Sequence, residues 1–174
     1  MHSAEPAISI NRGDIAILLS TRGRPEKLQE VFSSLKASTV DKNKTSLWLY
    51  VDDDDTVTRK VIDAKGFPEL GFPVHWHIGH RTPDWGQPYR ILWEATGRSA
   101  EVYMIANDDV RFETVGWDNV LREQYAQYPD GIVLACPYDP VAPAISTFPI
   151  FGGAWLQING GIYAGYFHYW FDDM

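Results

Sequence analysis

Two carboxylates and an amide stand together where an apolar run breaks off. Tyr103-Met104-Ile105-Ala106 leads into Asn107-Asp108-Asp109, and Val110, Arg111 and Phe112 follow. A strand that delivers acids at its C-terminal end places them where open α/β sheets bind ligands. Such a pair suits a divalent cation, because Mg²⁺ takes one or two carboxylates and completes its shell with water and substrate phosphates. Two other loops carry related chemistry. Thr21-Arg22-Gly23-Arg24 follows an apolar run and supplies a hydroxyl and two cations, and Asp52-Asp53-Asp54-Asp55 follows another and supplies carboxylates. A phosphorylated ligand at that edge meets hydroxyls, cations and acids together, and a divalent ion makes the acids and the phosphates compatible.

Each loop also has a purely structural reading. Asp52 to Asp55 is a solvated turn that caps a helix, and it lacks the glycine and the distal glutamate of an EF-hand. Arg22 and Arg24 are exposed turn residues, and Asn107-Asp108-Asp109 is a capping turn. Their recurrence at equivalent strand ends is what favours a shared site.

The elements that position these loops follow from periodicity. Residues 14–20 are a continuous apolar run, as expected of a strand covered on both faces. Pro25 is well placed as a first helical residue, and Leu28, Val31, Phe32 and Leu35 predict an amphipathic helix over 25–37. Residues 46–51 predict a second strand and 57–65 a short helix, with Asp55 or Thr56 able to cap it. Glycine and proline punctuate 66–73 as a loop. Residues 74–78 alternate like a third strand, 79–88 form a polar connection, and 89–96 are helical. The strand ending at Asn107 comes next. A helix over 115–128 then places Val120, Leu121 and Tyr125 on its apolar face, and 131–136 is another strand. Four prolines interrupt 137–149, and 150–171 are aromatic and glycine-rich without a clear period. The expectation is one α/β domain over 1–174: a mainly parallel open sheet with helices on both faces and an irregular C-terminal portion.

With 174 residues, the chain can bury a substantial core. Seven Trp, nine Tyr and eight Phe exceed what is usual; such rings fill cores and also line sugar-binding sites. The formal net charge of −8 argues against a nucleic-acid partner, which selects for a basic surface. Cys136 is the one cysteine, so neither an internal disulfide nor a cysteine-rich zinc site is possible, and its apolar neighbours predict a buried, inert thiol. Residues 1–12 lack the apolar core of a signal peptide, and no apolar run approaches the ~20 residues of a membrane helix. The expectation is a soluble, cytoplasmic protein. His75 and His77 share a strand face, but with no further acid in that segment a structural or surface role is expected.

At this point the chain resembles a known family. Ile15 through Leu35, with the turn Ser20-Thr21-Arg22-Gly23-Arg24-Pro25, is similar to the opening of family 2-type GT-A glycosyltransferases. Tyr50-Val51-Asp52-Asp53 matches the second-strand Val-Asp-Asp motif, and Asn107-Asp108-Asp109 falls where the family carries its Asp-x-Asp metal motif. The resemblance covers residues 14–136. It implies a GT-A fold, a nucleotide-sugar donor, a glycan or other hydroxyl acceptor, and Mn²⁺ or Mg²⁺ as cofactor. Thr21, Arg22, Arg24, Asp52 and Asp53 would then hold the nucleotide. Asp109 would ligate the metal with Asn107, which replaces a frequent first Asp, and Asp108 would be a ribose or supporting contact. Trp85-Gly86-Gln87-Pro88-Tyr89-Arg90 resembles the segment where a glycine and a basic residue approach the donor. There Gly86 and Arg90 are candidates, although Arg90 is equally read as an exposed helical charge.

In inverting members a glycine-rich acceptor segment precedes an acidic pair that holds the general base. Gly152-Gly153 and Asn159-Gly160-Gly161 precede Asp172-Asp173 here, which makes Asp172 or Asp173 the candidate base. The same pair is also readable as a solvated end, and His168 as a packed or exposed ring rather than a metal ligand. Related enzymes continue further, so the chain is either a compact version or a fragment. Two other functions follow from the same features: a non-catalytic or truncated nucleotide-sugar-binding module, and a nucleotidyltransferase. The latter lacks its usual glycine-rich basic signature after the first strand.

Overall fold

The computed structural model describes residues 9–65, 69–137 and 148–162. The candidates Asp172, Asp173 and His168 lie outside the described residues. Strand β1 (Asn11–Thr21) leads through Gly23 and Pro25 into helix α1 (Pro25–Ser38). Strand β2 (Thr45–Asp52) and helix α2 (Thr56–Lys65) repeat the form, followed by strand β3 (Val74–Gly79), helix α3 (Gly86–Ala95), strand β4 (Ala100–Asn107) and helix α4 (Trp117–Tyr125). Two short strands, β5 (Leu134–Ala135) and β6 (Ile150–Gly152), and helix α5 (Gly153–Ile158) complete the described elements. The sheet runs β3-β2-β1-β4-β6-β5. The first four strands in that order are parallel, and β6 pairs antiparallel with both β4 and β5.

Alternation along the central strands builds a three-layer core. Ile15, Ile17 and Leu19 of β1 face Leu28, Val31, Phe32 and Leu35 of α1, together with Ile62 of α2 and Trp117 and Tyr125 of α4. Ala16 and Leu18 face the other way, onto Tyr89, Leu92 and Trp93 of α3 and Leu156 of α5. Both faces of β1, β2 and β4 are therefore covered, which is why those strands read as unbroken apolar runs, whereas β3 at the edge is exposed along most of its length.

Five expectations need correction. The strand expected over 131–136 is paired only at Leu134–Ala135. Gly131 adopts a left-handed φ of 65° with its amide bonded back to Tyr128, and Pro137 brings no N–H to extend a ladder. Cys136 is exposed rather than buried, because that short strand lies at the sheet edge. Val120 points to solvent, 51% exposed: the inward stripe of α4 runs through Trp117, Leu121 and Tyr125, four residues apart, and Val120 falls outside it. The segment read as aperiodic begins with β6 and α5, whose three and six residues are too few to register a period. There Gly152-Gly153 is explained by packing, since a Cβ would stand 2.2 Å from the Gly131 carbonyl at one position and 2.4 Å from that of Ala100 at the other. Helix α3 also starts at Gly86, before the expected Tyr89. Pro88 is tolerated in its first turn, where amides lack partners in any helix.

A polar knot secures the edge of the sheet at the start of the strands. Asp118 of α4 is fully buried and accepts from the amides of Val40 at 3.1 Å and Asp41 at 2.8 Å. Arg122, one turn on, donates to Asp118 at 2.7 Å, to the Gly13 carbonyl at 2.8 Å and to Thr45 at 3.0 Å. Burial alone would raise the Asp118 carboxyl, but the bonds from Arg122, Val40 and Asp41 outweigh it and hold the group below its ordinary range.

Candidate functional site

The strand order reverses between β1 and β4, since β2 and β3 lie on one side of β1 and β4 on the other. The crevice outside the carboxyl ends of the strands at such a point is where open α/β sheets bind ligands. Register then decides what meets there. Ser20 lies opposite both Tyr50 and Asn107, which brings the next residue, Thr21, level with Asp108. The Thr21 hydroxyl donates to Asp108 Oδ2 at 2.6 Å, with both side chains buried. Arg24 Nη2 stands 2.5 Å from Asp108 Oδ1 without hydrogen-bond geometry, so that oxygen is neutralised by charge alone. The other arm of Arg24 reaches Asp109 Oδ2 at 3.4 Å.

Neighbouring acids thus differ in kind. Asp108 points inward and ties the end of β4 to the loop after β1. Both of its oxygens are occupied or covered by Thr21 and Arg24, and the side chain is fully buried. Asp109 points outward, with its side chain 49% exposed, and is the acid available to a ligand. Asn107 Oδ1 accepts from the Tyr89 hydroxyl at 2.8 Å, which fixes the amide and leaves the oxygen one further lone pair.

The acidic loop after β2 is cross-linked to the loop after β1. Arg22 donates to Asp52 at 2.8 Å and to both oxygens of Asp54. These bonds raise the Arg22 guanidinium and lower the Asp54 carboxyl, with the charge of Arg81 adding to the latter. Asp55 is buried and bidentate: it caps α2 by accepting from the Thr58 amide at 3.0 Å and holds the Gly23 amide at 2.8 Å. Burial would raise Asp55, but bonds from Thr58, Gly23 and Val57 prevail and lower it. Gly23 needs its φ of 66° to present that amide. The capping reading of the acidic run therefore holds for Asp55, whereas Asp52 and Asp53 turn to Arg22 and His80 instead.

The loop after β3 reaches the same edge. His80 Nδ1 lies 2.5 Å from Asp53 Oδ2, and Tyr50 donates to the His80 carbonyl at 3.0 Å. Between this loop and α3 opens a cleft of about 340 Å³ bounded by Tyr50, Asp53, His77, His80 and Gln87. Burial raises the Tyr50 hydroxyl, as do the charges of Asp52 and Asp53, so it remains a donor. His75 and His77 stack on Trp48 and Tyr50, with ring centroids 4.1 and 5.6 Å apart, in keeping with their structural reading. Gly86 gives its amide to Asp84 Oδ1 at 2.9 Å, and Arg90 lies 2.5 Å from Asp84 Oδ2. Both donor-approach candidates are engaged by one carboxylate, and neither faces a ligand unpartnered.

No group of three or more His, Cys, Asp or Glu gathers to hold a metal among the described residues. Hard oxygen donors are nevertheless present in Asp109 and Asn107 Oδ1. One exposed carboxylate with an amide oxygen suits Mg²⁺ or Mn²⁺ where substrate oxygens and water complete the shell. The residues present fit that ion as an open, substrate-completed site.

Sequence reading gave His80 only a structural or surface role, with His75 and His77, and missed Arg81 at the strand-end edge and Tyr89 as the support of Asn107. His80 and Arg81 had a legible signal: β3 belongs to the same parallel set, so its C-terminal loop must emerge beside the other three. Tyr89 had none, because a helical tyrosine in an apolar stripe reads as core.

No family model matches the chain, and no curated protein sequence matches it. Solved structures do. The mannosyltransferase PcManGT from Pyrobaculum calidifontis, in complex with GDP-Man and Mn²⁺, superposes with a TM-score of 0.64 at 10% identity, covering 91% of this chain and 51% of that one. TarS 1-349 from S. aureus, in complex with UDP, gives 0.61 at 11% identity over 84% and 49%. A cytidylyltransferase from Leptospira borgpetersenii gives 0.53 at 13% identity over 88% and 64%. The chain spans about half the length of the first two. At these identities what is shared is the architecture: the chain has a GT-A-like α/β fold, the fold of a known glycosyltransferase.

Proposed function

We propose that the chain binds a nucleotide sugar at the β1/β4 crevice and forms the donor-binding part of a metal-dependent glycosyltransferase, with residues 14–136 as that part. The observation that carries this reading is the division of the two adjacent acids. Asp108 is buried and locked to Thr21 and Arg24, and this holds Asp109 outward beside Asn107 at the point where the strand order reverses. Asp109 and Asn107 would hold Mn²⁺ or Mg²⁺, which when bound neutralises the diphosphate of the donor. Asp52 and Asp53, backed by Arg22 and His80, face the nucleoside, and Arg81 supplies positive charge to the phosphates. Transfer to an acceptor hydroxyl with inversion needs a general base, and Asp172 or Asp173 is the proposed residue.

Calorimetry with UDP, GDP and their sugar conjugates, with and without Mn²⁺, tests the reading. Binding that requires both nucleotide and ion, and that Asp109→Ala abolishes, is expected. Failure of every nucleotide to bind would overturn it. A nucleotidyltransferase is the second reading, supported by the likeness to a cytidylyltransferase fold, though Thr21 to Pro25 contains only Gly23 where a glycine-rich basic loop would be needed. Release of pyrophosphate rather than nucleoside diphosphate would favour it.

A further inference from the structure

Trp85 is 63% exposed, the most exposed Trp, Tyr or Phe among the described residues, and a costly place for an indole. Burying such a side chain is worth ~1.5–3 kcal/mol, so its exposure calls for an account. It is not a loose ring on a loose loop. Its backbone is already helical, at φ −57° and ψ −26°, and its neighbours are braced. Asp84 accepts from the Gly86 amide at 2.9 Å and lies 2.5 Å from Arg90, while the Asp84 amide donates to Thr82 at 3.1 Å.

Position follows from helical spacing. Trp85 lies four residues before Tyr89, hence on the same face and one turn nearer the strand ends. Tyr89 bonds to Asn107. Helical spacing thus carries Trp85 one turn beyond Tyr89, toward the strand-end side of the sheet. Its surroundings in the connection are polar, with Thr82, Asp84 and an exposed Gln87, and no other large apolar side chain is exposed among residues 79–96. A lone ring among hydrogen-bonding groups does not suit a lipid or an apolar protein surface. It suits a pyranose, whose C–H face meets the negative π face of the indole while its hydroxyls meet the polar rim.

We propose that Trp85 is a stacking platform for a carbohydrate acceptor, so that the acceptor is a glycan and not a lipid or protein hydroxyl alone. The acceptor role rests on the donor reading above; the platform does not. Arg90 and Asp84 are then positioning residues for the ring.

The test is titration of tryptophan fluorescence with cellotetraose, chitotetraose and mannotetraose, with and without UDP or GDP and Mn²⁺. Calorimetry of the nucleotides and nucleotide sugars runs beside it. Wild type should bind at least one tetrasaccharide. Trp85→Ala, an exposed substitution that leaves the core intact, should weaken that binding about tenfold, the equivalent of one good aromatic contact. Trp85→Tyr should restore most of it. Affinity for nucleotide and nucleotide sugar should stay within about twofold in both variants, since neither change touches the acids of the donor site. Three results would overturn the proposal: no tetrasaccharide bound by wild type, equal binding by Trp85→Ala, or a parallel loss of nucleotide-sugar binding, which would make the ring a donor contact. Saccharide binding through Trp85 without any nucleotide binding would keep the platform and remove the donor reading.

Discussion

Adjacent residues Asp108 and Asp109 should respond oppositely to removal. Asp108→Ala leaves the Thr21 hydroxyl, 4% exposed, without the acceptor it now has at 2.6 Å. An unpaired buried hydroxyl costs about 1–3 kcal/mol. The same change removes the anion beneath Arg24, whose side chain is 52% exposed, so that pair adds no more than about 1 kcal/mol. A total loss of roughly 2–4 kcal/mol follows. Asp109→Ala, at the surface, should change stability by less than about 0.5 kcal/mol while abolishing Mn²⁺-dependent nucleotide binding. Urea unfolding at constant m separates the two variants, and calorimetry reads the ligand. Thr21→Val closes a double-mutant cycle. Single and double losses that add within about 0.3–0.5 kcal/mol would refute the coupling across β1 and β4. An Asp109→Ala as destabilised as Asp108→Ala would refute the division of roles.

Three further outcomes are expected. Asp118 is held below its ordinary 3.8, so the stability it contributes is complete above that value and fades as pH falls through its lowered folded-state value. Asp118→Asn should therefore be less stable at neutral pH yet lose less on acidification than wild type, as urea unfolding at neutral pH and at about pH 3 will read; parallel losses would count against it. Gly79→Ala would bring a Cβ to 2.0 Å from the Tyr50 hydroxyl, displacing a buried ring from its bond to His80, at about 1–3 kcal/mol; an unchanged unfolding midpoint would show that the ring yields freely. Cys136 is exposed and should be alkylated in the native protein at the rate of a free thiol, whereas protection until denaturation would contradict its placement.

The parallel half of the fold was legible because β1, β2 and β4 are covered on both faces and so written as apolar runs, while β3 at the exposed edge is written as an alternation, with polar loops marking the turns. Asp55 as the cap of α2 and Pro25 as the opening of α1 are local chemistry, and local chemistry reads well. What escaped depends on distant partners. Whether Val120 faces in or out is set by where Trp117 docks, and whether residues 131–136 pair is set by β6, which follows only at Ile150. In the site the acids were visible, and it was the family resemblance, not the residue types, that distinguished Asp109 from Asp108. Asp108 and Asp109 are identical in sequence terms, and only the register of β1 against β4 sends one inward and the other out. The partner that engages both Gly86 and Arg90 was not legible, because Asp84 is an ordinary residue in a polar connection.

The knot around Arg122 bears on how the domain is assembled as it leaves the ribosome. Arg122 reaches Gly13 across 109 residues and Thr45 across 77, and Asp118 reaches the Val40 amide across 78. A nascent chain that has finished β1, α1 and β2 still lacks the groups that saturate their connecting turn. Pairing achieved early is provisional, and it is ratified when α4 emerges and supplies one carboxylate and one guanidinium together. Contacts of such separation slow folding, and the turn between α1 and β2 keeps polar groups without these partners until α4 has been made.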